Sequence, residues 1–259
     1  MRPRGSRRCS ASTPATVFDD LADLGWFALI GILGGLIGLL YAKGFYGFMA
    51  GFGRLPIPRW IKPTVGGLLV GTMALAIPEV LGTGYGWVQQ GLSSQLLGLP
   101  LWIVLILPFA RIVATGLSIG SGGSGGIFGP GMVIGAFVGA AVWRLFDPIV
   151  PSMGHNPAPY VIVGMMCCFG SIARAPLAVM LMVAEMTGNI SILAPAMIAV
   201  GLAWFIVRRS DDTIYRSQLR NRSDAPAQRI LLGMPLLAKV PITQAMATPR
   251  LVLTDRTPV

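Results

Sequence analysis

Apolar runs of helical length, separated by short stretches rich in glycine, proline or charge, fill residues 24–207. The first run, residues 24–52, is long enough to cross a bilayer, which takes about 20 residues. Its Gly31, Gly34, Gly35 and Gly38 recur at spacings of three and four. That spacing puts them on one side of a helix and permits close approach of a neighbouring helix. Residues 63–77 predict a second helix that spans outward, and residues 99–117 a third of spanning length. Residues 86–97 are amphipathic and short of a span. A further helix is expected from near Phe128 to Phe146. Residues 160–170 and 175–185 are again too short to cross and read as half-helices that meet others inside the protein. Residues 190–207 form the last apolar run. The pattern predicts an all-α, polytopic membrane protein with broken and half-length helices.

The interruption between the third run and the helix at Phe128 is the most informative stretch. It reads Ser118-Ile119-Gly120-Ser121-Gly122-Gly123-Ser124-Gly125-Gly126-Ile127-Phe128-Gly129-Pro130-Gly131. Each glycine inside a helix costs roughly 1 kcal/mol relative to alanine, so the helix is expected to break here. Non-helical backbone at membrane depth persists only where it is buried in protein or lines a wet cavity. Pro130 suits a first helical turn, where its missing N–H would be unpaired anyway. A helix beginning near Phe128 leaves free N–H groups at its positive end. Together these features make an anion site built of backbone. A glycine-rich turn between packed membrane helices fits the spacing equally well.

Composition narrows the class. Of 259 residues, 54% are hydrophobic and 12% charged, against about 25% charged in soluble domains. The formal net charge of +10 does not point to nucleic acid, because the arginines flank the apolar body. One cluster is Arg2, Arg4, Arg7 and Arg8; another is Arg208, Arg209, Arg216, Arg220, Arg222 and Arg229. Lys43, Arg54, Arg59 and Lys62 mark a cytoplasmic connection, with no acidic residue between Asp23 and Glu79. Asp19, Asp20 and Asp23 precede the first helix and suit its positive end. Cys9, Cys167 and Cys168 follow no disulfide or metal pattern, and His155 reads as a solvated loop residue. No catalytic triad, Walker loop or metal spacing occurs, so the sequence gives no sign of an enzyme, and no cofactor is expected.

Four of the charged residues in or beside the apolar runs carry candidate roles. Glu79, in Ile77-Pro78-Glu79, reads as an ion-coupling carboxylate or as a structural glutamate ending a helix. Arg111 sits about two-thirds along its run, pointing toward the glycine break. It either supplies a positive field for an anion or partners backbone carbonyls. Arg174 and Glu185 are expected to have structural partners, since lone charges at this depth are costly.

Several of these stretches resemble the CLC chloride channel and chloride/proton antiporter family. Gly125-Gly126-Ile127-Phe128-Gly129-Pro130 resembles its Gly-(Ile/Val)-Phe-x-Pro signature, and Gly120-Ser121-Gly122-Gly123-Ser124 its lead-in. The run from Pro78 and Glu79 through Gly82, Gly84, Tyr85 and Gly86 resembles another of its helix ends. Arg174-Ala175-Pro176 and Glu185-Met186-Thr187-Gly188 resemble two more. The resemblance implies chloride transport through a pore near the membrane midplane. The anion would be bound by Gly126, Ile127, Phe128 and Gly129, with the Ile127 and Phe128 amides facing it. Tyr215, taken from its residues alone as an interfacial tyrosine, is implied to donate its hydroxyl to the ion. Chloride itself, the lipid bilayer and a second copy in a homodimer are the implied partners, in a multi-pass protein of the cell membrane.

The resemblance covers roughly residues 18–222 and matches the second of the family's two inverted halves. Residues 1–17 read as a disordered basic segment and 223–239 as a linker. Residues 240–259, from Val240-Pro241-Ile242-Thr243 onward, resemble the start of a CBS domain. The family's first-half Gly-Ser-Gly-x-Pro and Gly-x-Glu-Gly-Pro loops, and its intracellular proton glutamate, have no counterpart in these residues. A second reading is therefore a transport-dead membrane fragment with only a packing or assembly role.

Overall fold

The computed structural model describes residues 23–149, 156–210 and 213–215. Asp19, Asp20, Cys9, His155, the linker, the CBS-like stretch and the arginines of both clusters other than Arg208 and Arg209 lie outside the described residues. The chain divides into two compact units, Met1–Ile214 and Tyr215–Val259. Among the described residues, every helix belongs to the first unit.

These helices are α1 (Asp23–Arg54), α2 (Lys62–Ala76), α3 (Tyr85–Gly91), α4 (Leu101–Gly120), α5 (Phe128–Phe146), α6 (Ala158–Ile172), α7 (Pro176–Thr187) and α8 (Leu193–Val207). Short 3-10 turns at Pro78–Val80, Ser94–Gly98 and Ile190–Ile192 join some of them. Among the described residues, four segments are long and apolar enough to cross a membrane: Leu24–Arg54, Leu101–Gly120, Phe128–Phe146 and Ile190–Val207. The half-helices α6 and α7, with 15 and 12 residues, agree with the sequence expectation.

Three expectations change. The outward helix α2 has 15 residues, about 22 Å at 1.5 Å per residue, and so falls short of a hydrocarbon core of about 30 Å. The amphipathic stretch 86–97 is not one helix. It breaks after Gly91, where the Ser93 hydroxyl donates to the Gln90 carbonyl at 3.0 Å and diverts the chain from the helical ladder. Finally, α4 runs on to Gly120, past the end of its apolar run.

Close helix contact organises the interior. The α1 glycines divide between two partners rather than facing one. Gly31 and Gly35 lie against the backbone of Ala199 and Ala203 in α8, and Gly34 and Gly38 against Cys167, Cys168 and Ile172 in α6. Pairs four residues apart thus serve each neighbour, as helical periodicity requires. Gly135 and Gly139 of α5 meet the α6 backbone at Gly164 and Tyr160, where any side chain would collide with a carbonyl. Between hydrocarbon-embedded helices this dispersion contact, rather than water exclusion, supplies the association energy. Cys167 and Cys168 are free thiols buried in the same core.

Candidate functional site

The glycine break forms at the junction of α4 and α5. Gly122, at φ +99°, occupies the left-handed position that glycine takes at no steric cost. Its N–H donates to the Ile119 carbonyl at 2.9 Å, and that of Gly123 to Ser118 at 3.2 Å. These two bonds close α4 in a Schellman motif, satisfying its last carbonyls. The Ser121 hydroxyl adds a third bond, to Ser118 at 3.0 Å. Residues 123–126 then run without regular structure, and α5 begins at Phe128.

Nothing caps that start. Ile127 is the N-cap residue, at φ −87° and ψ −15°, with no side-chain capping bond. The N–H groups of Ile127, Phe128 and Gly129 have no hydrogen-bond partner among the described residues, Pro130 has no N–H, and the Gly131 N–H donates back to Ile127 at 3.3 Å. Such unpaired donors carry the positive end of the α5 dipole. Gly125 and Gly126 are exposed, and Ile127 to Pro130 half-buried. The donors are therefore reachable from one side.

The other side is fixed by packing. The Phe128 ring meets Phe169 edge-on, 4.7 Å between centroids at 79°. Gly131 leaves room for Phe169 and for Tyr41 of α1. The Tyr41 hydroxyl, on a fully buried ring, donates to the Ile127 carbonyl at 2.9 Å. Tyr85, at the start of α3, brings its hydroxyl alongside Gly129, 3.5 Å from where a Cβ there would sit.

Arg111 does not serve the glycine break. Its guanidinium turns to the loop after α2 and donates to the carbonyls of Gly82 at 2.7 Å, Glu79 at 2.8 Å and Leu81 at 3.2 Å. Of the two roles its sequence position left open, the partner of backbone carbonyls is the one observed. Gly84, at φ +82°, gives the guanidinium space that a side chain would take. Glu79 is buried beside it, and its Oε2 has no hydrogen-bond partner among the described residues. The glutamate contributes its main chain, not its carboxylate, to the arginine.

The remaining predicted residues separate. Arg174, at φ +55°, donates to the Ser210 carbonyl at 2.7 Å, which supplies its expected partner. Glu185 instead lies exposed on α7 with no side-chain partner among the described residues. The segment leading to Tyr215 is tied down. The Ile214 N–H donates to Ile172 at 3.2 Å, the Thr213 hydroxyl to Ile172 at 2.9 Å, and the Tyr46 hydroxyl to the Ile214 carbonyl at 2.9 Å. Tyr215 itself is half-buried and opens the second unit.

Sequence reasoning overlooked Tyr41 and Tyr46. A signal was present, since a tyrosine in the middle of an apolar span must find a partner for its hydroxyl. Its partners are remote in sequence, so only the fold reveals them.

Comparison with known proteins places the chain. The family profile described as Voltage gated chloride channel matches residues 7–208. The chain is 30% identical over 244 residues to chloride channel protein CLC-f of Arabidopsis thaliana, which covers 86% of the chain and 31% of that protein. It is 31% identical over 183 residues to the H(+)/Cl(-) exchange transporter ClcA of Vibrio campbellii, covering 69% of the chain and 38% of the relative. Among solved structures it resembles a slow cyanobacterial Cl-/H+ antiporter, with a TM-score of 0.65 and 27% identity over 80% of this chain and 48% of that one. The chain thus spans less than half the length of each of these three proteins. With the glycine loop, the uncapped α5 and the matched residues in agreement, the chain belongs to the voltage gated chloride channel, or CLC, family.

Proposed function

We propose that this chain contributes to a CLC-type anion pathway, with chloride held by the backbone N–H groups of Ile127 and Phe128 at the start of α5. Gly126 and Gly129 leave the approach open, and the family resemblance implies the Tyr215 hydroxyl as a further neutral donor. The observation that carries this reading is the run of unpaired amides at Ile127, Phe128 and Gly129, which ends a loop without obstructing side chains. Chloride fits such a site because neutral donors replace its hydration without the deep binding that a lysine or arginine would impose. The orientation of Arg111 toward Glu79, Leu81 and Gly82 agrees with this. The relatives named for chloride channels and for H(+)/Cl(-) exchange support chloride as the ion.

The protein would act in the cell membrane as a homodimer. Exposed apolar residues on α7 and α8, among them Leu177, Leu181, Met197, Ile198 and Phe205, suit contact with lipid or with a second copy. Isothermal calorimetry with chloride on the purified chain tests the binding reading. Replacing Phe128 with phenyllactic acid puts an ester where the amide was and removes one N–H while keeping the ring. The expected loss is about tenfold to a hundredfold in affinity, because a hydrogen bond to an ion contributes about 1.5–3 kcal/mol. Equal affinity for amide and ester would contradict the reading.

A further inference from the structure

We infer that Tyr41 is a positioning residue for the anion site: its hydroxyl aims the Phe128 N–H at the ion. This rests on the reading of Ile127 and Phe128 as chloride donors. The peptide unit between those two residues is planar, and among the described residues no peptide bond is cis. In a trans unit the C=O and N–H point in opposite directions. Whatever fixes the Ile127 carbonyl therefore fixes the Phe128 N–H, facing the other way.

Two groups fix that carbonyl. The Gly131 N–H reaches it at 3.3 Å as part of the first helical turn. The Tyr41 hydroxyl reaches it at 2.9 Å, from 86 residues away in the chain. Tyr41 is fully buried in α1, and its ring rests in the space left by Gly131. The carbonyl is held toward the α1 side, so the Phe128 N–H is turned away from α1. A second effect acts on the same bond. Donation to a carbonyl polarises the peptide and strengthens its N–H as a donor. One hydroxyl that never touches the anion thus sets both the direction and the strength of a donor that does.

Sequence makes the test clean. Ile127-Phe128 is the only Ile-Phe pair in the chain, so labelling isoleucine with carbon-13 and phenylalanine with nitrogen-15 isolates the Phe128 amide in an NMR spectrum. The full chain in detergent micelles is titrated with chloride as wild type and as Tyr41→Phe. The wild-type Phe128 resonance is expected to move with chloride. In Tyr41→Phe the chloride-free Phe128 amide proton is expected upfield, reflecting the lost polarisation, and chloride affinity about twofold to fourfold weaker, as when a donor to an ion loses about 10–30% of its strength. 4-Aminophenylalanine at position 41 keeps a donor and is expected to restore both. If Tyr41→Phe does not fold, 4-fluorophenylalanine, which keeps the shape and donates nothing, takes its place. A wild-type resonance that moves, with unchanged shift and affinity in the variant, overturns the role of Tyr41 alone. A wild-type Phe128 resonance indifferent to chloride overturns the anion site and this inference with it.

Discussion

Arg111 donates to the carbonyl of Gly82 across 2.7 Å, although 29 residues of chain separate the two. One guanidinium thereby satisfies three carbonyls of a turn that ends α2. The bond to Glu79 is buried, and a buried carbonyl without a partner is costly, so the arginine holds this turn against α4.

Arg111→Met should therefore destabilise the protein by about 3 kcal/mol or more, taking about 1.5–3 kcal/mol for each hydrogen bond to a charged group. Arg111→Lys, whose ammonium lacks the planar fork, should recover only part of that. Thermal unfolding in detergent reads both. An unchanged midpoint in Arg111→Met would show that the turn stands without the guanidinium.

How far could the sequence have led here? The position of Arg111 in an apolar run announced a function or a partner, but the direction of its side chain depends on how α2 and α4 meet. Local chemistry was more legible. Glycines 120–126 and Pro130 prescribe a helix stop and a helix start, and α5 begins at the residue expected. The glycine stripe of α1 was visible as a stripe, yet its division between α6 and α8 was not, because periodicity fixes a face and not the number of neighbours on it. Tyr41 was hidden for the same reason: its partner, Ile127, is an ordinary backbone carbonyl.

The glycines differ sharply in what they tolerate. Gly135 lies against the Gly164 backbone, whereas Gly67 has no neighbouring atom within 4 Å of a Cβ. Gly135→Val should cost about 1–3 kcal/mol or more through overpacking. Gly67→Ala should stabilise by about 0.5 kcal/mol, since alanine orders more cheaply in a helix. Unfolding midpoints that move together for both variants would contradict the assigned contacts.

Topology yields a separate expectation. Arg59 and Arg209 are both exposed at ends of apolar segments, and the positive-inside bias places both in the cytoplasm. Arg59→Cys and Arg209→Cys, each made in a Cys9→Ser background, should react with a membrane-impermeant maleimide in inside-out vesicles and stay protected in intact cells. The native Cys167 and Cys168 are buried and should remain silent. Opposite accessibility of the two sites would reject the orientation.

Tyr215→Phe should keep the fold and weaken chloride binding about fivefold, as for the loss of one neutral hydrogen bond. Calorimetry at constant ionic strength measures it. Unchanged affinity would remove the hydroxyl from the site and leave the amides of Ile127 and Phe128 as the donors from this chain.

An anion bound at the start of α5 can be seen directly. Bromide substitutes for chloride and scatters anomalously, so crystals grown in bromide locate the ion directly. An anomalous peak is expected about 3–3.5 Å from the amide nitrogens of Ile127 and Phe128, the range of a hydrogen bond to a large anion. Bromide peaks elsewhere, with none at those two nitrogens, would contradict it.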